Sequence, residues 1–509
     1  MINRDIDALR RYHELTKHSV ARLQANRHFL DWEIQPRPFK IYSTLPPIAL
    51  PEELGVSPVP GVSALLSPGA DVAGDVVPDL RALARLLYFT AGVTRRKVYP
   101  GGQEQYFRAA ACTGALYHID VYAVCGPLSG LAPGVYHFGP HDFSLRRLRA
   151  GDYRGRLIQA TAEEPAVRAA PVVFVLASTF WRNAWKYQSR AYRHCFWDSG
   201  TMLANMLAVA ATDGIPLRIV LGFVDDQIHH LLGLDGEREA ALALVAVGRD
   251  TASTAPGPPP DEPPLSYDTA PLSIREVEYP AIPAAHAASS LRSPDEVRAW
   301  RRPWTAPSPP AAGPTFPLRQ LGDPPAEPIE SVIRRRGSTR RFARRPIAFE
   351  QLSTLLRCAS VPAPSDVGTS AVALADVYLI VHAVDGLPPG SYSHRRDEDA
   401  LELLKEGAFR REAGYLGLGQ ELPAEASANL YWLSDLDAVM QQLGNRGYRA
   451  AQLAAAIAGG KVYLGAYALK LGATGLTFFD DDVTEFFSPH AGGKSVMFLM
   501  AAGRGVRPA

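Results

Sequence analysis

Cysteine is scarce in this sequence. Cys112, Cys125, Cys195 and Cys358 are the whole complement in 509 residues, and their spacing matches neither a zinc site nor a disulfide framework. That argues against a small secreted fold stapled by disulfides, fits a reducing cytoplasm, and gives no reason to expect a metal centre. An excess of charge of either sign is also missing. Fifty-three basic residues against 52 acidic ones leave a net charge of +1, which makes no case for nucleic acid or an anionic membrane as a partner. Long apolar runs are lacking too. The most apolar stretch, 450–476, is broken by Lys461, Lys470 and several glycines, and reads as a buried helix and strand, not a membrane span. The opening residues MINRDIDALRRYHELTKHS are charged throughout and have no apolar core of a signal peptide. No GxGxxG follows a first strand, which argues against a Rossmann domain.

What is present is ordinary globular composition, 47% hydrophobic and 21% charged. The length suits roughly two to four domains. Residues 251–328 are rich in Pro and Ala, as in PGPPPDEPP and PSPPAAGP. Proline fixes φ and removes a donor, so this stretch reads as a linker between a first domain, 1–250, and a second, 329–509. SPDEVRAW within it suits a short helix with Ser293 as N-cap and Pro294 in the first turn; an unstructured linker is the alternative.

The two flanks are copies of each other. TGALYHIDVYAVCGPLSGLAPGVYHF (113–138) aligns with TSAVALADVYLIVHAVDGLPPGSYSH (369–394) at an offset of 256, set by Asp120 and Asp376. The same offset pairs Tyr192-Arg193 with Tyr448-Arg449, Phe223 with Phe479 and Asp225-Asp226 with Asp481-Asp482. One register held over more than a hundred residues indicates duplication. Each copy reads as a helix (78–91; 349–359), a strand (120–124; 376–381), a GLxPGxY turn and second strand, a long helix (192–213; 448–471), a strand with a Phe/Asp-rich turn (219–226; 475–482) and a last apolar strand ending in Gly-Arg (241–249; 495–504). Without strict βαβ alternation, the expected class is α+β.

RRRGSTRRFARRPIAFEQLSTLLR (334–357) resembles the N-terminal signature of nitroreductases, in which Arg-x-Ser-x-Arg holds the FMN phosphate. The resemblance implies that Arg336, Ser338 and Arg340 are phosphate ligands, joined by Arg504 of the terminal Gly503-Arg504. Guanidinium forks match phosphate oxygens; a solvated basic run is the alternative. The first copy resembles a narrower branch, the SagB/ThcOx-type dehydrogenases that act as azoline oxidases. The shared segments are YHELTKHS, HFLDWEIQPRPFKIY, CTGALYHIDVY, GLAPGVYHF, KYQSRAYRH and GFVDD. The family loop Pro-Ser-Gly-Gly/Ala corresponds here to Cys112, Thr113, Gly114 and Ala115, and its later Pro and Glu are His118 and Asp120. The resemblance implies that Thr113, Gly114 and Ala115 approach the isoalloxazine closely. It also implies that the turn at Gly222 and Phe223, with Phe478 and Phe479 as counterparts, lies beside flavin N5. A strand entry without a ligand is the alternative for the loop.

Lys186-Tyr187 resembles the catalytic Lys-Tyr pair of azoline oxidases. Making an azole from an azoline removes a hydride and a proton, and a positioned Lys or Tyr can take the proton. Burial, or Arg190 and Arg193 nearby, would lower a lysine pKa. The second copy carries Gln442 and Leu443 at these positions. The alternative is a surface lysine beside a packed tyrosine.

Together these resemblances imply two nitroreductase-like domains forming an intramolecular pseudo-dimer with FMN between them. The favoured composite site joins Arg336, Ser338, Arg340 and Arg504 to the loop 112–116. A mirror site would use Arg37, Lys40 and Arg249, with the opposing loop near 365–371. The implied activity is azoline dehydrogenation on a modified peptide or small-molecule intermediate, with a partner of the cyclodehydratase type; further homodimerisation is left open. A general FMN-dependent nitroreductase or cyclic-dipeptide desaturase is the second reading, and a flavin-free docking subunit the third.

Overall fold

The computed structural model describes residues 2–67, 69, 74–102, 104–251, 257, 259–302, 304, 311–368 and 373–506. Among them each half carries a seven-stranded antiparallel sheet. In the first half the spatial order is Pro47–Ala49, Ser144–Ala150, Gly134–Gly139, Ile119–Cys125, Val172–Thr179, Glu239–Val247 and Leu217–Val220. The second half repeats that order with Thr315–Pro317, Ala400–Glu406, Gly390–Arg395, Asp376–Val381, Ala428–Ser434, Ser495–Gly503 and Gly472–Leu476. The central strands are buried on both faces because helices cover them, so they read as continuous apolar runs such as VVFVLAST and ANLYWLS.

The long helices Ala191–Thr212 and Asn445–Ala468 cross at the centre. The crossing is reciprocal: a Cβ on Gly200 would collide with that of Ala456, and one on Gly460 would come within 2.7 Å of that of Ala204. Each contact joins a residue to its own counterpart at the offset of 256, which places both on the pseudo-two-fold axis. A single apolar core runs through both halves. The pseudo-dimer expected from the duplication is present.

Reciprocal buried ion pairs close the seam. Arg193 and Arg190 of the first half hold Asp480 at 2.6 and 3.0 Å. Arg446 and Arg449 of the second hold Asp225 at 2.7 and 2.8 Å. Arg190 lies over the Phe478 ring and Arg446 over the Phe223 ring. These contacts correct the pairing read from the sequence. The arginines obey the offset of 256, but Asp225 matches Asp480 and Phe223 matches Phe478, an offset of 255. One residue is lost between the helix ends, Thr212 and Ala468, and the next strand starts, Leu217 and Gly472.

The proline-rich stretch is more than a connection. It supplies helices Ala281–Ala288 and Pro294–Trp300 and the edge strand Thr315–Pro317, leading to helix Ile329–Arg335. The first half opens with the same series: Asp7–Leu15, Val20–Ala25, Pro47–Ala49 and Gly61–Leu66. Arg193 bonds His13 O and Thr16 Oγ1 just as Arg449 bonds His286 O and Ser289 Oγ. Ser293 caps its helix by accepting from Glu296 N at 3.2 Å. Pro256 and Pro258 of PGPPP and residues 307–310 of PSPPAAGP lie outside the described residues.

Candidate active site

The loop after the hairpin Val93–Val98/Glu104–Arg108 carries Thr113, Gly114 and Ala115. Gly114 has φ 64°, and Ala115 and Tyr117 are held at φ 55° and 47°. Left-handed backbone at two residues with a Cβ costs energy and persists only where the surroundings enforce it. Asp198 does so here. Its carboxylate, buried on the long helix, accepts from Thr113 N at 2.9 Å, Thr113 Oγ1 at 2.7 Å, Cys112 Sγ at 3.0 Å and His118 Nε2 at 2.9 Å. Burial beside this carboxylate pushes the Cys112 thiol well above its usual range. Asp198 was not anticipated from the sequence; a lone acid in an otherwise apolar helical stretch was the available signal.

Tyr187 ends the helix Trp181–Tyr187 and lies against this loop: a Cβ on Gly114 would come within 2.8 Å of its hydroxyl oxygen. Burial, then the Asp198 charge, raises its phenol pKa above the usual range. The next residue, Gln188, sits at φ 50°, ψ −141°; its counterpart Gly444 adopts nearly the same angles. A conformation suited to glycine is thus kept by glutamine directly after the Lys-Tyr pair. Lys186 is exposed, with its ammonium 5.4 Å from the Tyr187 ring centre. Arg190 and Arg193, expected near it, are committed to Asp480.

Across the seam, the segment 336–343 runs along the chain's end. Ala343 N donates to Arg504 O at 2.8 Å, and Thr339 N to Ala473 O at 3.0 Å. This brings Arg336, Ser338, Arg340 and Arg504 to one edge of the second sheet. Arg336 reaches into the first half, donating to Ala109 O at 3.0 Å and Arg108 O at 3.3 Å at the base of the loop, and stacks on Tyr463. Ser338 accepts from Tyr463 OH at 2.9 Å. Arg340 is exposed and makes no hydrogen bond or ion pair among the described residues. Arg504 gives one bond, to Pro346 O.

The donor groups of this seam suit a flavin. Arg340 and Arg504 are exposed along one edge with half-buried Arg336, Gly475 is exposed on the strand edge, and Thr477 Oγ1 is a buried hydroxyl without a partner. The structure therefore ties Arg336 to the base of the loop that carries Thr113, Gly114 and Ala115 and that Tyr187 touches, with Ser338, Arg340 and Arg504 along the same edge and Lys186 beside Tyr187.

It separates Gly222, Phe223 and Phe479 from them. Gly222 and Phe223 belong to the opposite, pseudo-equivalent seam, where Asp366 and Trp300 cover Gly222 and Arg446 covers Phe223. Phe479 turns onto Tyr415, and Phe478 packs against Trp197 and Arg190 of the first half. The mirror phosphate set is also corrected. Lys40 is buried in an ion pair with Glu239, and Arg37 lies in a segment hydrogen-bonded to Leu272. The equivalent of 336–340 lies elsewhere. Helices Gly61–Leu66 and Ile329–Arg335 both follow a proline N-cap, and Val76 pairs with Arg249 as Ala343 does with Arg504. The stretch between helix Gly61–Leu66 and Val76, SPGADVAGD, has no basic residue; most of it, and residues 369–371 of the opposing loop, lie outside the described residues.

Asp225, His229 and His286 bring ligand-type atoms within 4.8 Å of one another. The carboxylate is already taken by two guanidinium groups, which disfavours a cation there. No helix among the described residues is long and apolar enough to cross a membrane.

A nitroreductase family model matches residues 101–249 and again 333–504. The chain belongs to the nitroreductase family, and is an oxidoreductase of a family whose members typically bind flavin. It is similar across 98% of its length, and 99% of the other's, to a solved structure from Anabaena variabilis provisionally described as a nitroreductase, with 26% identity and a TM-score of 0.77. A Methanocaldococcus jannaschii protein with a provisional nitroreductase name is 26% identical over 170 residues, 33% of this chain and 80% of its own length. A chain in the Escherichia coli microcin synthetase complex shares 18% identity over 49% of this chain and 93% of its own, at a TM-score of 0.30, too remote to bear on function.

Proposed function

We propose that the chain is an FMN-dependent oxidoreductase that dehydrogenates azoline rings to azoles on a modified peptide or related natural-product intermediate. The observation that carries this reading is the contact of Tyr187 with the strained 112–117 loop, in the seam that also gathers the exposed arginines. Bound flavin would supply a two-electron hydride acceptor. Arg336, Ser338, Arg340 and Arg504 would hold its phosphate, and the loop, fixed by Asp198, would face the ring. Thr477 offers a hydroxyl to a ring heteroatom. With its pKa raised, Tyr187 stays protonated at neutral pH and orients substrate as a donor. Lys186, at the exposed end of the same helix, would, as the free amine, take the proton released from the substrate carbon next to the one that is oxidised. The electrons pass on to an acceptor such as dioxygen, and a cyclodehydratase-type partner would supply the azoline.

Purified protein reconstituted with FMN should convert a thiazoline-bearing peptide to the thiazole, read as loss of two hydrogens by mass spectrometry. Lys186→Ala should keep the flavin and lose this turnover; oxidation at the wild-type rate would exclude Lys186 as the base. The exposure of Lys186 favours a second reading, a general flavin reductase or small-molecule desaturase that needs no base at the rim. Reduction of nitroaromatics without azoline oxidation would select it, and colourless protein that takes up no FMN would leave a docking subunit.

A further inference from the structure

We infer that each chain holds one flavin, in the seam between Arg336 and the 112–117 loop, and that in the pseudo-equivalent seam the chain's own side chains occupy the contacts a flavin would need. The inference rests on the flavin use proposed above and assigns its stoichiometry.

The two seams differ at the same three places. The first is the edge of the sheet. Ile219 N donates to Pro364 O at 2.8 Å and Asp366 N to Ile219 O at 3.0 Å, so residues 364–366 pair with the edge strand Leu217–Val220. At the repeat offset their counterparts are 108–110, and there the carbonyls of Arg108 and Ala109 face Arg336 instead. One edge is covered by backbone; the other is left to a guanidinium.

The second is the turn. Asp366 directs its carboxylate at the N–H groups of Leu221 and Gly222, both at 2.8 Å. A doubly hydrogen-bonded carboxylate occupies the donors that a ring heteroatom would need. Arg301 then locks the carboxylate at 3.3 Å, donates to Gly222 O at 3.0 Å and reaches Glu164 at 3.4 Å. Trp300 closes the face: a Cβ on Gly222 would lie 3.1 Å from its ring. Leu221, Gly222 and Phe223 are buried, whereas Gly475, in the matching strand of the other half, is exposed and Thr477 keeps an unused hydroxyl.

The third is the phosphate end, where the stretch between helix Gly61–Leu66 and Val76, SPGADVAGD, contains no arginine or lysine. The cavity left beside the plug is lined by Ile219, Leu221, Ala363, Val367, Ala454 and Ile457, with Ser365 at its side. Ala454 stands where the first half has Asp198, so the carboxylate that shapes the other loop is missing as well.

The test is the flavin content of full-length protein saturated with FMN, passed through a desalting column and released by heat, measured by absorbance against chain concentration. One FMN per chain is expected. Arg340→Ala should lower the ratio at limiting FMN at least several-fold, while Asp366→Asn and Arg249→Ala should leave it at one. Two FMN per chain in the wild type would overturn the inference and leave the flavin reading standing. One FMN that survives Arg340→Ala but is lost in Arg249→Ala would place it in the other seam and also overturn it. No FMN at saturation would instead refute the flavin reading beneath it.

Discussion

Arg340→Ala separates phosphate binding from folding. Because Arg340 is exposed and bonds no other described residue, its removal should change stability by no more than about 0.5 kcal/mol. A charge-assisted bond from guanidinium to phosphate is worth about 1.5–3 kcal/mol. At about 1.4 kcal/mol per tenfold, the FMN Kd should rise roughly 10- to 150-fold. Exposure and screening, with a Debye length of about 8 Å at physiological salt, favour the lower end and predict a smaller effect as salt rises. Arg336→Ala should behave differently, since it also breaks the bonds to Ala109 O and Arg108 O that tie the halves together. Its Kd and its melting temperature should both suffer. Quenching of FMN fluorescence on titration gives Kd, and scanning calorimetry of the apoprotein gives Tm. An Arg340→Ala Kd within twofold of wild type, or a Tm loss equal to that of Arg336→Ala, would refute the assignment.

Asp480→Ala leaves two buried guanidinium groups unpaired and should cost about 3–5 kcal/mol, read as a shift of the urea midpoint; an unchanged midpoint would deny the ion pairs their role in the seam. Asp225 and Asp480 are both held below the usual carboxylate range despite burial, because two arginines face each. Their contribution is therefore complete above the unfolded carboxylate pKa of about 3.9 and fades as pH falls below it. Melting temperatures from pH 7 to pH 3 should drop less steeply in Asp480→Asn than in wild type. Gly200→Val overpacks the central crossing and should destabilise by about 1–3 kcal/mol or more. Gly475→Ala, with its nearest heavy atom 3.6 Å from the new Cβ, should be tolerated when both are compared by calorimetry. Tyr187→Phe should slow turnover without releasing flavin; an equal loss of FMN affinity would make Tyr187 a structural prop for the loop.

The duplicated architecture was legible because packing preserves spacing inside elements: Asp120 and Asp376, or Arg193 and Arg449, kept their offset on rigid strands and helices. Connections are freer, so the one-residue slip that pairs Phe223 with Phe478 was invisible. Between 281 and 335 only the helix Pro294–Trp300 was legible, through Ser293 and Pro294; proline and alanine hid the rest, whose composition says linker although Pro280 and Pro328 also stand at helix starts. Arg37 and Lys40 were chosen for charge, when the flanking helices define the true counterpart. Asp198 and Asp366 escaped notice because a buried carboxylate is informative only once its hydrogen-bond donors are known.

Covalent fusion of the two copies has an evolutionary consequence. In an assembly of identical subunits, a gene carries one copy of each position, so any mutation is written into both clefts together. A change such as Asp366 would then abolish every cleft and be purged. Joining the copies end to end lets one cleft be sacrificed to stiffen the scaffold while its twin specialises.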